Sequence, residues 1–366
     1  MIGVSQISVA AYRGGGGGVP VNPDLISTWD TTQAGSASDT VVLPLLSGGT
    51  YSGTINWGDG STSALSYANR THVYASGGVK TITISGTIGG WQFNNAGDRN
   101  KILNVSNWGT LDITTSSAFW GCSNLDVSAT DAPIITTTNL RKTFANCTSM
   151  TNPNLNNWDV SGVLLFGGNN QGMFRGASNA DPSVSQWDVS NGTSFRDMFW
   201  FTSFNGDVSA WDISSAGADA LLAMFGFSPF NGEIYLWNLP PAVTFLGSNT
   251  QGIFYSNAAF NQPIGVWDTS NIINMRHTFR FASAFDQDIS NWQVSQVTDL
   301  LGFMDGVTLS TANYDALLIA WDAQGAMSYS GTVSFGSSKY TAGGAAETAR
   351  TSLISKWGAI IDGGAA

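Results

Sequence analysis

The sequence predicts a mostly-β protein: a small N-terminal β-sandwich, then a tandem-repeat solenoid of about eight coils, then an α/β C-terminal cap. Three observations carry this. Glycine (43 residues) and aromatics (12%) are abundant while charged residues make up only 11%, a balance that suits short strands and tight turns better than helical bundles. Within residues 24–97, short segments alternate apolar and polar side chains with period two, as half-buried strands do. From 98 to 306, tryptophan and phenylalanine recur at a nearly fixed interval, which is the mark of stacked repeats.

Residues 1–23 read as an arm. Ile2, Val4, Ile7 and Val9 make a strand-like pattern ahead of Gly14–Gly18. Five consecutive glycines lose too much backbone entropy to order themselves. The arm is therefore expected to be held by another protein chain, with Ile2, Val4, Ile7 and Val9 as anchors that add a strand to an open sheet edge. The opening residues lack the charged segment and long apolar run of a signal peptide, so export by the ordinary secretory route is not expected.

Residues 24–97 supply the sandwich. DTVVLPLLSGG, TYSGTINW and VKTITISG read as strands, and Trp57-Gly58-Asp59-Gly60-Ser61 ends one of them in a tight turn. The succession WGDGS, then Thr71-His72-Val73-Tyr74, then a TxTxSG strand resembles the polycystic-kidney-disease-type (PKD) domain of bacterial surface proteins. That resemblance implies an immunoglobulin-like spacer or a modest binding module.

Residues 98–306 are the repeats. Trp108, Trp158, Trp187, Trp211, Trp237, Trp267 and Trp292 recur every 24–30 residues, apart from one gap of 50 in which Pro133 stands where a tryptophan is due. An aliphatic residue precedes each by three, and Trp-Asp-Val/Ile/Thr-Ser follows at Trp158, Trp187, Trp211 and Trp267. A second ladder comprises Phe119, Phe144, Phe174, Phe199, Phe225, Phe254, Phe279 and Phe303, which counts eight coils. No single coil can bury these side chains, whereas stacked neighbours can. FNQPIGVWDTSNIINMRHTF and FDQDISNWQVSQVTDLLGF resemble the repeats of BspA-like leucine-rich-repeat surface proteins. The resemblance implies a right-handed solenoid with short parallel strands, of the kind found in adhesins and other cell- or virion-surface proteins of bacteria and their phages. WNLPP at Trp237 and WGTLD at Trp108 depart from the motif.

Residues 307–366 read as a cap for the last coil: a helix beginning near Ser310, a strand at GTVSFGS and a second helix through GGAAETARTSLISKWG.

Little in the chain points to chemistry. It has two histidines, His72 and His277, in different predicted domains, and no nucleophile elbow, zinc-protease or phosphate-loop motif. No enzyme activity and no cofactor is expected. With 14 Lys and Arg and a net charge of −11, nucleic acid is not an expected partner, and no apolar run is long enough for membrane insertion. Asp159, Asp188, Asp212 and Asp268 should form a column that either caps turns or binds calcium; Asn238 and Gln293 at equivalent places favour caps, and no metal site is assigned. Cys122 and Cys147, each three residues after a ladder Phe, should lie on adjacent coils as stacked buried thiols or as a disulfide.

Length variation gives the functional expectation. From Phe to the next Trp the spacing holds at 12–14 residues, while from Trp to Phe it ranges from 11 to 17. The insertions therefore share one face. The two longest end in Phe166-Gly167-Gly168-Asn169-Asn170-Gln171 and Phe245-Leu246-Gly247-Ser248-Asn249-Thr250-Gln251. Phe166, Asn169, Asn170, Gln171, Phe245, Asn249 and Gln251 are the candidate ligand-binding residues, through stacking and hydrogen bonding. The expectation is a non-enzymatic phage virion protein of tail- or head-fibre type, joined to other virion proteins by the arm and meeting a host-surface glycan or protein, with a homo-oligomer possible. A bacterial cell-surface or secreted adhesin is the alternative.

Overall fold

The computed structural model describes residues 22–366; the arm residues Ile2, Val4, Ile7 and Val9 lie outside the described residues. The described chain is mostly β, with few helices and no closed barrel. Strands β1 (Leu25–Asp30), β2 (Thr40–Val42), β3 (Leu45–Asn56), β4 (Thr62–Ala64), β5 (Thr71–Val73) and β6 (Val79–Trp91) come first. They are followed by β7 (Ile102–Asn107), β8 (Leu111–Ile113), β9 (Asp126–Val127) and β10 (Ile134–Ile135). β1 pairs antiparallel with β6, and β3 with β6 and β4, while β2 and β5 form a separate antiparallel pair. Alternation buries Leu25, Ser27 and Trp29 of β1 against Ile82 and Ile84 of β6 in the core.

The same sheet runs on into the repeats. β7 pairs antiparallel with β1, and from there the pairing turns parallel, β6 with β8, β8 with β10 and β7 with β9. A polar clasp ties this junction down. The fully buried Lys101 ammonium donates to the carbonyls of Ser36, Ala37 and Thr40 and to Ser36 Oγ at 2.8–3.0 Å. Asp98, 2% exposed, accepts from the Ser36 and Val42 N–H groups and from Ser36 Oγ.

After Ile135 the parallel strands give way to consecutive turns joined by single parallel bridges such as Asn139 to Leu165 and Leu165 to Ser194. The resemblance implied short strands along the whole repeat region. Here each repeat instead satisfies its backbone by bonding turn to turn, for example Phe119 N–H to Thr143 O and Phe199 N–H to Met224 O. The eight ladder phenylalanines are all fully buried. Each ring contacts the next at 5.5–6.3 Å, most of them near parallel.

The tryptophans explain their own motif. In Val184-Ser-Gln-Trp187 the Trp N–H closes a turn onto the Val184 carbonyl, and the indole of Trp211 on the next repeat donates to that same oxygen at 3.1 Å. Trp187, Trp237, Trp267 and Trp292 reach back in the same way to Leu155, Val208, Ile234 and Ile264. Leu155, Val184, Val208, Ile234 and Ile264 thus each fill the core with the side chain and offer both carbonyl lone pairs to tryptophans. Trp108 and Trp158 fall outside the series: they pack edge-to-face at 5.4 Å, and neither indole N–H has a partner among the described residues.

Helix α1 (Thr311–Ala323), capped by Ser310 Oγ accepting from Asn313 N–H, lies with α2 (Ala345–Trp357) over the last repeat. β11 (Gly331–Ser334) and β12 (Gly358–Ile361) pair in parallel. Phe303, the last ladder ring, contacts Trp321 and Phe335 of this layer.

Candidate functional site: the phenylalanine edge

The repeats have two chemically different edges. On the tryptophan edge, Asp159, Asp188, Asp212 and Asp268 are exposed, and each accepts the N–H of the serine two residues on at 2.9–3.1 Å. Hydrogen bonds from Ser190 and Ser270 hold Asp188 and Asp268 below the usual carboxylate range. These bonds are turn caps. Among the described residues no cluster of three His, Cys, Asp or Glu side chains could hold a metal ion.

The phenylalanine edge holds all six cations found between residues 102 and 306, namely Arg141, Lys142, Arg175, Arg196, Arg276 and Arg280. Every one lies within three residues of a ladder Phe. Aromatic rings stand among them. Phe201, Phe227 and Phe281, two residues after their ladder Phe, are 53%, 40% and 46% exposed. Trp200 and Tyr255, one residue after, are half-buried between them. Trp200 lies 4.9 Å from Phe227, Phe227 lies 5.5 Å from Tyr255, and Tyr255 lies 6.1 Å from Phe281, so the rings form one continuous strip. Arg280 sits over Phe281 and Arg175 over Trp200, at 4.9 and 5.5 Å, as cations do on ring faces. Carboxylates pair with the guanidiniums: Asp219 with Arg196, Asp299 with Arg276 and Asp305 with Arg280.

The strip runs toward a hollow of about 470 Å³ where the last repeats meet β11 and β12. Asn249, Arg276, His277, Arg280, Asp305 and Ser334 are among its lining residues. Burial, and then the charges of Arg280 and Arg276, push the His277 pKa down, which favours a neutral imidazole. Gly302 is needed beside it: with φ of +62°, any Cβ there would come within 2.7 Å of the His277 ring.

The family described as "Mycoplasma protein of unknown function, DUF285" matches at residues 90–167, 138–246 and 221–337, well over half of the chain. The chain belongs to this family. No curated protein and no solved structure matches it. The DUF285 matches span both edges of the repeats and stop short of α2 and β12.

Within these DUF285 repeats the loop residues expected to bind ligand separate into two groups. Asn169, Asn170 and Asn249 are exposed at the rim of the phenylalanine edge, and the Asn169 and Asn249 side chains accept from Arg196 and Arg276. Phe166 is a correction: it is fully buried, stacked 5.3 Å from Phe195 and 5.8 Å from Trp187. Its counterpart in the second loop is Leu246, since Phe166 and Leu246 donate to equivalent carbonyls of Ser194 and Asn274; Phe245 is offset by one residue and half-buried. Gln251 is a second correction, being buried with its amide donating to Asp197 Oδ1 at 3.0 Å. Gln171 is half-buried. The two loops share Asp197, whose other oxygen accepts the Asn170 N–H; burial pushes this carboxyl above its usual range against those bonds.

Ser61, His72 and Asp59 also cluster in the N-terminal region. Both Ser61 Oγ (3.4 Å) and Asp59 Oδ2 (2.8 Å) approach the same ring atom, Nε2. A proton relay needs base and orienting carboxylate on opposite nitrogens, so this group is a turn lock, and hydrogen bonds from Ser61 and His72 hold Asp59 far below the carboxylate range. Cys122 and Cys147 are buried free thiols, and burial pushes both pKa values up.

The strip of rings was missed because Phe201, Phe227 and Phe281 stand beside the ladder in sequence and read as part of it. The clustering of cations around the ladder phenylalanines was the available signal.

Proposed function

We propose that this chain is a non-enzymatic display protein, a phage virion component of tail- or head-fibre type that presents its phenylalanine edge to a host surface. The observation that carries the reading is the segregation of the two edges. Packing alone needs neither exposed aromatics nor the gathering of all six cations between residues 102 and 306 on one side, and a contiguous exposed aromatic patch marks an interaction surface. The finer architecture belongs to the same reading: a right-handed, BspA-like leucine-rich-repeat solenoid of eight coils behind a PKD-like domain. The stacked Phe column and the back-reaching indoles support the solenoid. Stacking of Trp57 on His72 at 4.7 Å, with Tyr74 Oη donating to the Trp57 carbonyl, supports the PKD-like reading. The glycine-rich arm would join other virion proteins through Ile2–Val9. A bacterial cell-surface adhesin is the second reading, favoured by a family description that names a bacterium.

The test is saturable binding of fluorescently labelled protein to a panel of intact bacterial cells, competed by unlabelled protein. Competition on at least one strain is the expected result. Binding to none, or uptake that unlabelled protein does not displace, would refute the display reading.

A further inference from the structure

We infer that the aromatic strip and the adjoining hollow form a docking site for a neutral glycan. Sugar rings would lie on Phe201, Phe227 and Phe281, and the hydroxyls of one unit would enter the hollow beside Asn249, Arg276 and His277. This deepens the display reading and rests on it.

The backbone supplies the first argument. Phe201, Phe227 and Phe281 adopt left-handed φ values of 59°, 53° and 62°, a region costly for bulky side chains. Apart from Asp305 in the last repeat, which is not left-handed, the equivalent places in the other repeats hold Gly121, Asn146, Gly176 and Ser256, all left-handed. These are small or locally hydrogen-bonding residues, the types that tolerate such a turn. The turn therefore does not ask for phenylalanine, and the core does not either, because the rings are about half exposed. Three repeats bear both backbone strain and exposed apolar surface at one position. Strain without structural return is where binding function is to be sought.

The second argument concerns what fits. Exposed ring faces match the apolar C–H faces of sugars, and paired guanidinium and carboxylate groups beside them match hydroxyls, which both donate and accept. Arg196, Arg276 and Arg280 are each matched by an aspartate, so the strip carries little net charge and suits a neutral ligand better than a polyanion. A protein partner would call for a broader apolar centre than a single file of rings flanked by ion pairs. The hollow, at about 470 Å³, falls within the range of small-ligand sites.

The test is affinity electrophoresis in native gels cast with hydroxyethylcellulose, dextran or galactomannan, with heparin as the anionic control. The wild type is compared with the triple variant Phe201→Gly, Phe227→Gly, Phe281→Gly and with Asn249→Ala. Retardation by at least one neutral polysaccharide is expected, weakened about tenfold or more in the triple variant and measurably in Asn249→Ala. Because glycine relieves the strain, the triple variant should melt no lower than wild type; a purely structural role for the rings would lower its melting temperature. No neutral retardation, retardation by heparin alone, or equal retardation of the triple variant would overturn the inference. So would a wild-type dimer that the triple variant breaks, since a second copy would then cover the strip. Cell binding separates the two levels. If the triple variant binds cells as the wild type does, the display reading stands and the glycan site falls. If the polysaccharide result holds while no cells are bound, the reverse is true.

Discussion

Substituting Trp211 and Trp158 in parallel tests how the repeats interlock. Trp211 is 4% exposed, stacks 6.3 Å from Trp187 and donates its indole N–H to the buried Val184 carbonyl at 3.1 Å. Trp158 is equally buried, yet its indole N–H has no partner among the described residues. Alanine at either site removes a large buried ring and should cost about 3–5 kcal/mol. Phenylalanine separates them. Trp211→Phe keeps most of the ring but leaves the Val184 oxygen with one bond fewer, adding about 1–2 kcal/mol to the cost of the smaller ring. Trp158→Phe loses only ring volume and discards an unsatisfied buried donor, which offsets part of that loss. Equilibrium urea unfolding followed by circular dichroism should therefore place Trp211→Phe about 1–3 kcal/mol below Trp158→Phe. Equal losses, or a larger loss at Trp158, would refute the interlock.

Other perturbations address the junction, the cap and the turns. Lys101→Met leaves four acceptor contacts in the junction unmade and should cost at least about 3 kcal/mol by urea unfolding; a loss under about 1 kcal/mol would mean the clasp is dispensable. In the cap, burial raises the Asp362 pKa, but bonds from Arg350, Tyr314 and the Gly364 N–H outweigh it and hold the group below its usual value. A depressed folded pKa contributes stability that is complete above the unfolded value near 4 and is lost as pH falls through the folded one. Asp362→Asn should thus cost about 3 kcal/mol at pH 7 and much less near pH 2, and a pH-independent difference would contradict the assignment. His277 has the opposite charge type: its lowered pKa means stability falls as pH drops below about 6.5, so wild type should lose more than His277→Gln between pH 7.5 and 5.5. Finally, a calcium chelator should leave the melting temperature unchanged, because serine N–H groups already occupy the tryptophan-edge carboxylates; a drop of several degrees would reinstate calcium.

Periodicity made the core legible. Phe and Trp ladders survive in one dimension because every repeat must bury the same side chains at the same place, and the helix at Ser310 was readable from its cap. What one dimension hides is direction. Phe166 and Phe245 both precede a glycine-asparagine segment, yet a one-residue offset turns the first inward and places Leu246, not Phe245, beside its equivalent neighbours. Phe201 and Phe227 stand two residues after ladder members and look like more core, whereas a left-handed turn carries them outward. Gln251 has the composition of a binding residue but is drawn inward by Asp197, fifty-four residues earlier. The hollow at His277 depends on β11 and β12 closing over the last repeat, a long-range meeting that no local pattern encodes.

Hydroxyl-radical footprinting on cells that bind the protein tests the proposed display role of the phenylalanine edge most directly. Trp200, Phe227, Tyr255 and Phe281 should be oxidised in free protein and protected on cells, while the tryptophan-edge segments around Asp188 and Asp212 react equally in both states. Protection of the tryptophan edge, or none along the aromatic strip, would contradict the proposal that the phenylalanine edge is the display surface.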